Sequence, residues 1–158
     1  MSGITTPIVI GSDHAAYDLK EKIKVFLIER SIDVEDVGCY SENSVDYPDY
    51  GIKVASMVSS GKFSRGILLC GTGIGMSMVA NKFSRVRAAL CSDLFSAIMS
   101  RRHNDSNILV LGGRVIGDML ALEIVKAWLE TPFDGGRHLR RLEKFDRIDM
   151  DAEHGCTD

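Results

Sequence analysis

Residues 66–82, GILLCGTGIGMSMVANK, decide the reading of this 158-residue chain. An apolar run ends in Cys70, glycines follow at 71, 73 and 75, and apolar residues then return at helical spacing. A buried strand that turns through glycines into a helix is a unit of a parallel α/β sheet. Such a turn presents backbone N–H groups at the positive end of a helix dipole, where a phosphate or a developing oxyanion is held.

Similar alternation runs outward in both directions. PIVIGSD (7–13) predicts a strand, and YDLKEKIKVFLIER (17–30) an amphipathic helix with Leu19, Ile23, Phe26 and Leu27 on one face. IDVEDVG (32–38) predicts a short strand. CYSENSVDYPDY (39–50) is a polar loop whose Pro48 suits the first turn of a following helix. RGILLCG (65–71) is the most apolar strand, followed by a helix over about 75–84, a strand at 86–92 and a helix at 93–104. NILVLGG (107–113) is a fifth strand, and two helices close the chain at 117–130 and 135–150. The pattern implies one α/β domain over 1–150, a Rossmann-like sandwich. Its five-stranded parallel sheet carries helices on both faces, and the tail at 151–158 is expected to fray.

Composition narrows the function. A net charge of -3 argues against a general nucleic-acid binder, and no apolar stretch is long enough to span a membrane. The N-terminus lacks the basic region of a signal peptide, so a cytoplasmic protein with reduced thiols is expected. Cys39, Cys70, Cys91 and Cys156 show neither C-x-x-C spacing nor a histidine at ligand spacing, so no metal site is expected.

Three readings of the glycine loop compete. As a dinucleotide fingerprint it has Gly71 and Gly73 but Met76 where the third glycine belongs; Asp93 stands near where a ribose-binding acid is expected. As a packing device, three alternating glycines beside Thr72 are more than helix–strand contact requires. As a catalytic loop, Cys70 sits where the dipole and amides stabilise a thiolate, and the same amides suit an enediolate. Cys91, mid-strand, fits a small buried hydrophobe, and Cys39 a loop thiol.

In open α/β sheets ligands sit beyond the carboxyl ends of the strands, which selects Asp13, His14, residues 70–75, Ser92, Asp93 and residues 112–114. Asp13 also suits a helix cap, and His103 ends a helix whose dipole favours an imidazolium. Arg137 and Arg141 share a helix face at i, i+4 and can grip an anion; charged helix ends are also commonly just solvated. His138 lies between them in sequence, without an assigned role.

Taken together, IGSDHAAYDLK, DYPDY, GILLCGTGIGMSMVANK, RHNDSNILVLGGRVIG and GGRH resemble type B ribose-5-phosphate isomerases, the family that also contains galactose-6-phosphate isomerase subunits. The resemblance implies interconversion of ribose 5-phosphate and ribulose 5-phosphate without metal or organic cofactor. It implies Cys70 as the base at C2, Thr72 as a proton relay, and the Gly71, Gly73 and Gly75 loop with Ser77 as the oxyanion site. It gives His103 the opening of the furanose ring, sets Asp13 and Tyr47 near the sugar, and has Asn104 bind a hydroxyl or the enediolate. His14, Arg114, Arg137 and Arg141 would contact the phosphate, the last two reaching a neighbouring subunit, so a homodimer or tetramer is expected. Some members use a glutamate base on the helix after the loop; GMSMVANK has no carboxylate, which indicates the cysteine branch. A six-carbon phosphate isomerase of the same family and a non-catalytic nucleotide-binding module are the alternatives.

Overall fold

Each of the five apolar runs forms a strand of one parallel sheet in the computed structural model, which describes residues 6–154 and side chains as far as residue 148. The strands are β1 Ile8–Ser12, β2 Val34–Asp36, β3 Arg65–Cys70, β4 Ala88–Leu90 and β5 Ile108–Gly112. The helices are α1 Tyr17–Ile28, α2 Tyr47–Ser59, α3 Ile74–Ala80, α4 Leu94–Arg102, α5 Asp118–Glu130 and α6 Arg137–His154. The last helix runs four residues beyond its expected end at 150; residues 1–5 and 155–158, with half of the expected tail and Cys156, lie outside the described residues.

Strand alternation builds two cores. Ile8, Ile10, Ile67, Leu69, Leu109 and Leu111 face α1, α4 and α5, whereas Val9, Leu68, Cys70, Ile108 and Val110 face α2 and α3. The strand order is β2-β1-β3-β5-β4. Connections that step toward β4 use the α2/α3 face, and those that step toward β2 use the α1/α4 face. A single crossover hand requires this division. The direction of winding reverses between β1 and β3, which leaves a crevice at the carboxyl ends of those two strands.

The short elements have local causes. α3 ends at Ala80 because the Asn81 side chain donates to the carbonyls of Ser77 and Ala88 and accepts from Ala88 N–H, turning the chain into β4. β4, at the sheet edge, keeps three residues of the seven its pattern suggested. α5 runs back to the amino-terminal edge, where Arg65 at the start of β3 donates to the Leu129 carbonyl at 2.9 Å. No helix among the described residues is long and apolar enough to cross a membrane.

Candidate active site

The carboxyl ends of β1, β3 and β5 bring together the first group of expected residues. Cys70, the last residue of β3, is buried, and its Sγ accepts a hydrogen bond from Gly73 N–H at 3.1 Å. Gly73 has φ +79, and a Cβ there would lie 2.4 Å from Leu90 Cδ1 and 3.1 Å from the Leu111 carbonyl, so only glycine allows this turn. Thr72 is exposed, and its hydroxyl accepts from Ile74 N–H at 3.3 Å. Ser77 spends its hydroxyl on the Ile74 carbonyl at 2.7 Å.

Residues from other elements close around this loop. Arg114 N–H donates to Gly71 O, and its side chain passes over Gly71. Asp13 caps the single 3-10 turn His14–Ala16 by accepting from Ala15 N–H at 3.0 Å. The cap expected from sequence is therefore present, and it fixes the direction in which the turn leaves β1. His14 Nδ1 accepts from Val45 N–H at 3.2 Å, so a neutral His14 carries its proton on Nε2. Tyr47 opens α2, more than a third exposed, with its ring over Gly75.

The second group stands elsewhere. α4 runs antiparallel to the strands, so His103 and Asn104 at its end lie at the amino-terminal edge of the sheet, as does the start of α6 with Arg137, His138 and Arg141. Along β3 alone, five steps of about 3.3 Å separate the two edges by roughly 16 Å. His103, Asn104, His138 and Arg141 line one open cavity of about 480 Å³.

A buried network that sequence spacing gave no hint of supports this second group. Arg101 is buried; it donates to Asp105 at 2.8 Å and to the Ser106 carbonyl at 2.6 Å. Ser106 Oγ meets Ser100 Oγ and accepts from the indole N–H of Trp128, which has no exposed surface. The turn that follows His103 is thus pinned from beneath, with Asp105 at φ +44. A buried arginine, two serines and a tryptophan carry no shared motif, and only their burial reveals them.

His103, Asp134 and His138 place ligand-capable atoms within 4.8 Å of one another. Two features make the trio a poor cation site. Arg102 pairs with the Asp134 carboxylate at 3.0 Å, and the two imidazoles are stacked 6° from parallel, so their in-plane lone pairs do not converge. Burial first, then the positive charge of His103, Arg137 and Arg141, hold His138 below the usual histidine range. The cavity suits an anion.

The remaining candidates are accounted for structurally. Asp93, the supposed ribose-binding acid, caps α4 by accepting from Ser96 N–H at 2.7 Å, and that bond holds its carboxyl below the usual range. Cys91 is buried, and burial pushes its thiol up to about 11. Cys39 lies in the loop after β2 but is buried, with its Sγ donating to the Ser41 carbonyl.

Comparison with known proteins places this geometry in context. The sequence model of a family described as Ribose/Galactose Isomerase matches residues 8–145. Ribose-5-phosphate isomerase B of Escherichia coli (strain K12) is 46% identical over 143 residues, covering 90% of this chain and 96% of that protein. D-erythrulose-4-phosphate isomerase of Pectobacterium atrosepticum is 44% identical over 149 residues, 93% of this chain and 97% of that protein. The solved structure of Clostridium thermocellum ribose-5-phosphate isomerase B superposes with a TM-score of 0.91 at 51% identity, covering 92% of this chain and 99% of that one.

Proposed function

The chain belongs to the Ribose/Galactose Isomerase family, and we propose that it interconverts ribose 5-phosphate and ribulose 5-phosphate through an enediolate. The observation that carries the reading is Cys70 at the carboxyl end of β3, its sulfur met by the Gly73 amide inside a loop rich in further amides. That N–H strengthens as a hydrogen bond when the sulfur carries negative charge. As a thiolate, Cys70 removes the C2 proton and returns it to C1, while Thr72 shuttles a proton between O1 and O2. The amides between Gly71 and Gly75 that Cys70 and Thr72 do not engage stabilise charge on the enediolate, and Ser77 joins them by turning its hydroxyl from the Ile74 carbonyl to the substrate.

Before that step the furanose must open. His103 exchanges protons with the sugar: the ring oxygen gains one, the anomeric hydroxyl loses one, and the bond from C1 to the ring oxygen breaks as the anomeric C–O becomes the aldehyde C=O. Asp13 and Tyr47 flank the sugar, and Asn104 holds a hydroxyl. His14, Arg114, Arg137 and Arg141 take the phosphate, with His14 offering its Nε2–H.

One chain cannot bring these groups to one substrate, because they stand at opposite edges of the sheet. A second copy supplies His103, Asn104, Arg137 and Arg141 to the Cys70 end of the first. Exposed apolar side chains on the helices α3, α4 and α5 that begin at this edge suit such a contact: Ile74, Met78, Leu94, Phe95 and Met119 are 40–77% exposed. The reading needs no metal or organic cofactor.

The Pectobacterium relative favours a second reading, the same chemistry on a four-carbon sugar phosphate. The deciding experiment is isomerisation of ribose 5-phosphate with EDTA present, beside four- and six-carbon phosphates and the Cys70→Ala chain. Pentose turnover that falls by about three orders of magnitude in Cys70→Ala, with substrate still bound, is expected. Preference for another chain length moves the substrate, and full activity without Cys70 sinks the base.

A further inference from the structure

His138 was left without a role by its sequence, and its surroundings supply one. Its ring lies face to face with that of His103, the centroids 4.2 Å apart and the planes 6° from parallel. The two residues come from different elements. His103 caps the end of α4, and His138 belongs to the first turn of α6, where its N–H donates to the Gly135 carbonyl. His138 is 7% exposed, whereas His103 is only half-buried, so the stack has an inner fixed ring and an outer working one.

The turn that carries the inner ring is tied to α4. Arg102 of α4 holds Asp134 through its carboxylate, and Asp134 N–H donates to the Arg102 carbonyl at 3.0 Å, which ties the loop before α6 to the end of α4. Leu142, one turn beyond His138 on the same face of α6, is buried too. The charged groups around the pair are Asp134 from the loop, Arg102 from α4, and Arg137, Arg141 and Lys144 from α6. Positive charge predominates, which disfavours two imidazolium ions in contact and leaves the buried ring neutral.

We infer that His138 is a positioning residue for His103: its neutral ring is the platform that sets the plane of the His103 imidazole for proton exchange with the sugar ring oxygen. A neutral aromatic face also tolerates a cation stacked on it, so His103 can gain and lose a proton without leaving its place. A ring held at the wrong tilt is out of line with the oxygen it must protonate, and such misplacement lowers turnover by one to two orders of magnitude. The inference rests on the ring-opening role of His103 proposed above.

The test compares His138→Phe, which keeps a flat ring without nitrogen, with His138→Ala and with His103→Gln, using the full-length chain. Turnover of ribose 5-phosphate is expected to stay close to wild type in His138→Phe and to fall about tenfold or more in His138→Ala. The His103 Cε1–H resonance, shielded by the stacked ring, should keep its position in His138→Phe and move downfield in His138→Ala. Equal losses in the two variants would overturn the inference, since they would mean that a nitrogen of His138 matters and not its face. An unmoved His103 resonance in His138→Ala would overturn it as well. Wild-type pentose turnover by His103→Gln would remove the ring-opening role itself, and the resonance would still decide whether the stack exists.

Discussion

The ring of Tyr47 fills the space that a side chain on Gly75 would need: a Cβ there would stand 2.6 Å from Cε2 and Cζ of the tyrosine and 2.9 Å from its hydroxyl. Gly75→Ala is therefore expected to push Tyr47 out of place, lowering kcat/KM about tenfold. In a Tyr47→Ala background the contacts with the tyrosine ring are gone, and the same methyl group should have little further effect. A double-mutant cycle reads the coupling, and strictly additive losses would break the link.

The two edges of the sheet can be tested by mixing. Cys70→Ala damages one edge and Arg137→Ala the other. After proven subunit exchange between the two inactive proteins, half the dimers are mixed and each has one whole site. Activity should recover to about a quarter of wild type. No recovery would mean that each chain is self-sufficient.

Lys20, without exposed surface, holds its ammonium 2.6 Å from Asp36 and 2.6 Å from Glu21. Burial alone pushes the Asp36 carboxyl up, but Lys20, Lys24 and the Gly38 N–H together outweigh it and hold it below the usual range. A depressed carboxyl contributes stability above its unfolded value, near 3.9, and loses that contribution as pH falls through the folded value. Lys20→Met should remove about 3 kcal/mol at pH 7 in urea unfolding, the low end for a broken buried pair because Lys24 remains beside Asp36. Its stability should then fall less steeply than wild type below about pH 4.

Cys91 provides the contrast to Cys70. With its thiol raised to about 11 by burial, it stays protonated through the working range. Cys91→Ala should leave turnover and its pH profile unchanged while lowering stability by about 1 kcal/mol. A shifted alkaline limb in that variant would implicate Cys91 in the chemistry.

The strands, helices and crevice residues were legible because apolar periodicity and glycine placement are local. The β4 and α3 bounds were not, since Asn81 reaches seven residues along the chain to Ala88, and periodicity ignores such a bond. At the carboxyl edge the rule of ligands beyond strand ends selected Asp13, His14, Cys70 and Arg114, which the fold gathers around one loop, and also Asp93, which caps α4. It could not place His103, because motif order along a chain does not say at which edge a helix ends. The footing beneath His103, with Arg101, Ser106 and Trp128, depends on contacts between α4, α5 and the turn before β5, and none of those residue types announces itself.

The Cys70 end and the His103 end lie on opposite edges of one sheet; on the roles proposed above, a solitary chain owns every group the reaction calls for and cannot apply the two sets jointly. Catalytic capacity then becomes a property of concentration. Dilution below the point where copies separate should silence a perfectly folded protein, and specific activity should return on concentrating it, with no refolding in between.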